Sequence, residues 1–197
     1  MIPIKKYKRF LMAIGSPLAI LFICKDRGVI MKYSKIRKLD VTNGPGIRVT
    51  LFVSGCRHNC EGCFNKDQQD FNYGKDWTSQ TEDYFLDLVS NPMVVGVNIL
   101  GGEPLQQTMD KSLLNLLIKI NENYPDKDIW MWTGDQFEKA IEDSDKLALI
   151  EQADVLIDGR FEIDKRNIKL KYRGSENQRV IDIKSSLESN KVIGHKI

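Results

Sequence analysis

Three cysteines, Cys56, Cys60 and Cys63, stand at C-x3-C-x2-C spacing in the run Cys56-Arg-His-Asn-Cys60-Glu-Gly-Cys63. Three thiols this close form a chelating loop rather than a disulfide framework, and they suit a reducing compartment. A structural zinc site draws four ligands from two separated pairs, and here there is no second pair. His58 lies between two of the cysteines on a tight loop, His195 is near the chain end, and Cys24 is far upstream. A [4Fe-4S] cluster is ordinarily held by four cysteines, so a three-cysteine loop leaves one iron without a protein thiolate and open to a small ligand. The competing electron-transfer reading needs Cys24 as the fourth ligand.

A second polar cluster is Gly101-Gly102-Glu103-Pro104. Glycines remove the obstructing Cβ and let a small polar ligand approach the backbone, although alone such a run is also a simple turn. Asn43-Gly-Pro-Gly-Ile-Arg48 is a tight turn by composition. Trp130 and Trp132 share one strand face and are expected to be core. Asp158 leaves a strand just before Gly159-Arg160, where function and loop capping are equally reasonable.

These residues need elements to hold them. Arg48 to Val53 is β-branched and aromatic and reads as a buried strand running directly into the cysteine loop. A helix is expected over 81–89 with Thr81 as its cap, ended by Asn91-Pro92; a strand over 94–100 ends in the glycine cluster. An amphipathic helix follows over 109–123, then a strand over 128–132, short helices over 137–142 and 146–152, and a strand over 155–157. Strands alternating with helices imply βαβ units and an α/β fold with a mostly parallel sheet, with three glycine-containing loops on one rim. The polar stretch beyond Lys184 is expected to be poorly ordered.

With 197 residues, 42% of them hydrophobic, the chain supports one substantial core. Its formal charge of +2 is misleading, because six cations against Asp26 put +5 in the first thirty residues and leave −3 over 31–197. That balance gives no footprint for nucleic-acid binding, and no nucleic-acid partner is expected. Residues 1–30 hold a basic stretch and an apolar run from Phe10 to Cys24 that Gly15-Ser16-Pro17 interrupts and that falls short of the roughly 20 residues needed to span a bilayer. They are read as an extension outside the functional fold, with 31–197 as the functional domain and Met31 as its beginning; a weak membrane anchor and a signal peptide are the less favoured alternatives.

Asn43-Gly-Pro-Gly-Ile-Arg-Val-Thr-Leu-Phe-Val-Ser-Gly-Cys56, the cysteine loop and Gly-Gly-Glu-Pro104 together resemble glycyl-radical-enzyme activating proteins of the radical S-adenosylmethionine superfamily. Asp128-Ile-Trp-Met-Trp-Thr-Gly134, Val155-Leu-Ile-Asp-Gly-Arg-Phe161 and Arg173-Gly-Ser-Glu-Asn-Gln178 narrow the resemblance to activators of anaerobic ribonucleoside-triphosphate reductases. It spans about 31–183; Glu61 is a small departure at a variable position.

The resemblance implies an incomplete, open (β/α) barrel of mostly parallel strands, which fits a chain short of the roughly 250 residues of a closed eight-stranded barrel. It implies a [4Fe-4S] cluster held by Cys56, Cys60 and Cys63, and S-adenosyl-L-methionine bordered by Gly62, Cys63 and Phe64 and contacted through its methionyl part by Gly101, Gly102 and Glu103. The implied activity is reductive cleavage of that cofactor to raise a glycyl radical on the reductase, with a cytoplasmic setting and an external one-electron donor such as a flavodoxin. Activation of another glycyl radical enzyme, such as pyruvate formate-lyase, is the alternative; the absence of a second cysteine cluster and the Arg173-Gly-Ser segment weigh against it.

Overall fold

The computed structural model describes residues 30–197. The expectations for residues 1–30, and Cys24 as a ligand, therefore fall almost wholly outside the described residues.

Seven strands form one sheet in the order β3-β1-β2-β4-β5-β6-β7. The strands are β1 (Lys32–Asp40), β2 (Ile47–Val53), β3 (Lys75–Asp76), β4 (Val94–Gly101), β5 (Asp128–Trp132), β6 (Val155–Asp158) and β7 (Arg179–Asp182). The four central strands β2, β4, β5 and β6 pair in parallel, as the βαβ alternation requires. Both margins are antiparallel: β1 on β2, β3 on β1, and β7 on β6. The expected parallel sheet is thus confined to the middle, and the sheet is open, with β3 and β7 at its edges.

Sequence reasoning missed both margins. β1 reads Lys-Tyr-Ser-Lys-Ile-Arg-Lys-Leu-Asp, too charged to look like a strand, and register shifts after Tyr33 and Arg37 disturb its alternation. The stretch expected to be poorly ordered instead forms α5 (Ile183–Ser189), capped by Asp182 accepting from Ser185 N at 2.8 Å. Beyond it the chain returns to the sheet, with Asp182 N donating to Ile193 O and His195 N to Val180 O, both at 2.9 Å. Ladder-type hydrogen bonds hold this polar segment in place of apolar patterning.

One face of the sheet carries the main core. Helices α1 (Ser79–Ser90), α2 (Ser112–Asn123), α3 (Phe137–Ala140) and α4 (Ser144–Ile150) pack there, α2 burying Leu113, Leu116, Leu117 and Ile120 against strand residues such as Val97, Ile99 and Ile129. The cap of α1 is Thr78, not Thr81: the Thr78 hydroxyl accepts from Thr81 N at 3.2 Å. α2 starts three residues later than the apolar period implies, because Lys111 is left-handed (φ 59°) and Asp110 accepts from Ser112 N at 3.0 Å.

The other face is polar at one end and aromatic at the other. Arg48 is fully buried, donating to Asn98 Oδ1 at 2.6 Å, Asp128 Oδ1 at 2.8 Å and Val97 O at 3.0 Å. The Asn43–Arg48 turn therefore seats a buried cation. Burial alone raises the pKa of Asp40, but hydrogen bonds from Asn43, Thr50 and Thr42 outweigh it and hold this carboxyl well below the usual carboxylate range. Trp130 is core as expected, whereas Trp132, its ring centroid 6.1 Å away, reaches the cavity described below.

Candidate iron-sulfur site

Because β2, β4, β5 and β6 run in parallel, their carboxyl ends share one rim, the usual place for chemistry in open α/β sheets. The cysteine loop leaves β2, Gly102-Glu103 leaves β4, Thr133-Gly134 leaves β5, and Gly159-Arg160 leaves β6. The cysteine loop is closed on itself by a 3-10 turn at Lys66–Gln69: Gly55 N donates to Gln68 O at 2.8 Å and Cys56 N to Gln69 O at 3.0 Å.

All three cysteine side chains are partly exposed and line one cavity of about 550 Å3, within the range typical of small-molecule sites. Phe64, Gly101, Gly102 and Glu103 line it too. Gly62 does not. The space a Cβ would take there meets Ile163 Cδ1 at 2.9 Å, so it packs against the 161–163 segment. Burial pushes the Cys56 thiol up to about 11 and raises Cys60 as well; metal binding here must displace protons, since the ligand form is the thiolate.

Among the described residues, no three His, Cys, Asp or Glu side chains converge where a single ion could sit. Thiolates of a cubane each hold a different iron, so three thiols lining one cavity fit a cluster, whereas a structural tetrahedral ion takes four ligands.

His58 and Glu103 tie the rim together. Nε2 of His58 lies 2.8 Å from Glu103 Oε2, which also accepts from Gly134 N at 2.7 Å, while Oε1 accepts from Leu105 N at 3.0 Å. The Glu103 carboxylate is 1% exposed and engaged by the protein on both oxygens. The glycines beside it serve close packing of loops: a Cβ on Gly102 would stand 2.6 Å from Gly55 O, and one on Gly134 only 2.4 Å from the His58 ring. Their spacing showed that two loops carry special backbone but not that the loops meet.

Asp158 resolves to a structural role. It is buried, accepts from Phe137 N at 2.8 Å at the start of α3, and pairs with Arg179, whose guanidinium also grips Glu138. The segment Arg173-Gly-Ser-Glu-Asn-Gln178 folds as a clamp, Gln178 Oε1 accepting from Gly174 N at 2.8 Å and its Nε2 donating to Gly159 O at 2.9 Å. The clamp brings Arg173 to the cavity beside Arg160, with Lys35 and Arg37 across it on β1, four cations against the one carboxylate of Glu103. Arg160 and Arg173 lie in the runs Val155–Phe161 and Arg173–Gln178, but nothing in the sequence marked the four as one group.

A family profile described as "4Fe-4S single cluster domain" matches residues 42–181, which assigns this open α/β sheet with three thiols on its carboxyl rim to the single-cluster iron-sulfur class. Relatives similar along most of the chain are named anaerobic ribonucleoside-triphosphate reductase-activating protein. That of Enterobacteria phage T4 is 39% identical over 150 residues, 76% of this chain and 93% of the relative. Those of Vibrio cholerae and Escherichia coli are 37% and 36% identical over 150 residues, each alignment covering 75% of this chain and 96% of the relative. The chain belongs to the family of anaerobic ribonucleoside-triphosphate reductase-activating proteins.

Proposed function

We propose that this protein activates an anaerobic ribonucleoside-triphosphate reductase by raising a glycyl radical on it, as a radical S-adenosylmethionine enzyme of the open-barrel type. The observation carrying the reading is the three-thiol donor set facing a cavity of about 550 Å3, while His58, the ring nearest to completing a four-ligand set, is held by Glu103. Cys56, Cys60 and Cys63 would hold a [4Fe-4S] cluster, and with three protein thiolates it would keep one iron available to S-adenosyl-L-methionine.

The cluster and S-adenosyl-L-methionine would supply, when bound, one-electron reductive cleavage of the sulfonium, the electron coming from an external donor, and through it removal of a hydrogen atom from glycine. The protein's share is orientation and shelter. Gly101, Gly102 and Glu103 wall the cavity, Cys63 and Phe64 would border the cofactor, and Trp132 and Tyr172 add apolar surface that limits water. Gly62 supports this wall from behind through Ile163. Residues 31–197 form the activating domain, residues 1–30 stand outside it, the setting is cytoplasmic, and the electron comes from a flavodoxin-like donor. Among the described residues no helix is long and apolar enough to cross a membrane.

The test is anaerobic incubation of reconstituted protein with S-adenosyl-L-methionine, a reductant and the reductase. A glycine-centred signal by electron paramagnetic resonance is expected, and it is lost with Cys60→Ala. A fourth protein ligand found on the cluster by spectroscopy, or the absence of any cubane, overturns the reading.

A further inference from the structure

We propose that the arm between Arg160 and Arg173, at the cavity mouth, is a docking surface for an acidic segment of the reductase polypeptide, next to the glycine that receives the radical. The inference rests on the function proposed above and adds the chemistry of the partner surface.

The arm holds six cations against Glu162 and Asp164, a local charge of +4 in a body that is −3 over 31–197. Only Lys165 has a carboxylate within 4.0 Å, its neighbour Glu162 at 2.7 Å; Arg160, Arg166, Lys169, Lys171 and Arg173 have none among the described residues. Cations left unpaired next to a functional opening keep their field for an incoming partner, whereas paired ones largely cancel it. Arg160 and Arg173 line the cavity itself, and Nε of Arg173 is buried without a hydrogen-bond partner. The field therefore continues from the outer surface into the site.

Apolar anchors accompany the charge. Phe64, which follows the last cysteine, is 67% exposed, and Ile168 on the arm is 85% exposed. Phe64 is held in place by the Phe161 ring at 5.2 Å and the Arg166 guanidinium at 5.4 Å. An aromatic fixed by a cation and a second ring, in a cationic surround, is the make-up of a protein interface rather than of a solvated loop. The arm is also braced: Asn167 N donates to Gly174 O at 3.2 Å and Glu176 N to Lys165 O at 2.9 Å. Docking there sets a polypeptide across the opening without prior ordering of the arm.

The test uses Lys169→Glu/Lys171→Glu in the full chain, two exposed residues away from the cavity lining, with Lys169→Gln/Lys171→Gln as an intermediate step. Affinity for the reductase is measured at low and high salt, alongside S-adenosyl-L-methionine cleavage without the reductase. The expected result is a loss of affinity of about tenfold at low salt for the charge reversal, a smaller loss for the glutamine pair, and a shallower salt dependence, with uncoupled cleavage unchanged. Wild-type affinity and salt dependence in both variants overturn the docking surface while leaving the proposed function standing. A wild-type protein that neither cleaves the cofactor nor activates the reductase overturns the proposed function instead. Salt-sensitive binding of a single-stranded oligonucleotide that outcompetes the reductase, and that the reversal abolishes, assigns the arm to nucleic acid and overturns the proposal.

Discussion

Nε2 of His58 lies 2.8 Å from Oε2 of Glu103, and through this contact the cysteine loop after β2 is fastened to the loops after β4 and β5. A carboxylate buried in this way is stable only while its donors remain in place. Glu103→Ala leaves the Leu105 and Gly134 N–H groups and the His58 ring without their acceptor, at roughly 1–3 kcal/mol for each buried donor. The expected outcome is a clear fall in melting temperature and fewer irons per chain after reconstitution. Glu103→Gln keeps an acceptor oxygen and is expected to fall between. Normal iron content in the alanine variant would show that the cysteine loop keeps its geometry without this link.

The core and the rim were legible in the sequence to different degrees. Apolar periodicity marked β2, β4, β5, β6 and their helices within a few residues, since those segments bury one continuous face or both. Cys56, Cys60 and Cys63 were legible from spacing alone. β1 was not, because its stability comes from pairing with β2 and from ion pairs such as Lys32 with Asp76, neither of which leaves a local pattern. The Glu103–His58 link and the clamp from Gln178 to Gly159 join residues far apart in the chain. Short-range patterns carry no record of such pairs, and Asp158, which local context leaves undecided, takes its role from its distant partners Phe137 and Arg179.

Gly102 sits where a side chain has no room. A Cβ there would come within 2.6 Å of Gly55 O and 2.9 Å of Gln68 O, both backbone atoms of the ring that carries the cysteines. Backbone cannot yield as a flexible side chain can, so Gly102→Ala is expected to cost about 1–3 kcal/mol and to shift the cysteine loop. Calorimetry checks the first effect and cluster absorbance after reconstitution the second. An unperturbed melting temperature would mean that the two loops separate easily.

The Glu138–Arg179–Asp158 group predicts a pH dependence. The Arg179 guanidinium, through its hydrogen bonds, holds the Glu138 carboxyl at about 2, below its usual 4.5, and Asp158 and Glu138 in turn raise the pKa of Arg179. A depressed carboxylate pKa contributes stability that is complete above the unfolded-state value and disappears as pH falls through the folded-state value. Glu138 is 57% exposed, so solvent screening keeps its contribution small. In melts from pH 7 down to pH 3, Glu138→Gln is expected to be slightly less stable than wild type above pH 4.5, with the gap closing below it. A gap that widens on acidification would contradict this assignment.

Arg48 offers the sharpest test of the polar face. Its fully buried guanidinium satisfies Asn98 Oδ1, the carbonyls of Val97 and Asp128, and one oxygen of the Asp128 carboxylate. Burial lowers its pKa, and Asp128 opposes that shift; within reach of this carboxylate the side chain stays charged. Removing one member of a buried pair costs about 3–5 kcal/mol, mostly from groups left unpaired. Asp128 is 40% exposed and can turn to water, which places Arg48→Met at the lower end of that range. Asp128→Asn, which retains an acceptor, is expected to cost less than Arg48→Met. Denaturant melts of the two variants decide the order. If the asparagine change proves the more damaging, the network is sustained by the Asp128 charge and not by the hydrogen bonds Arg48 gives to β4.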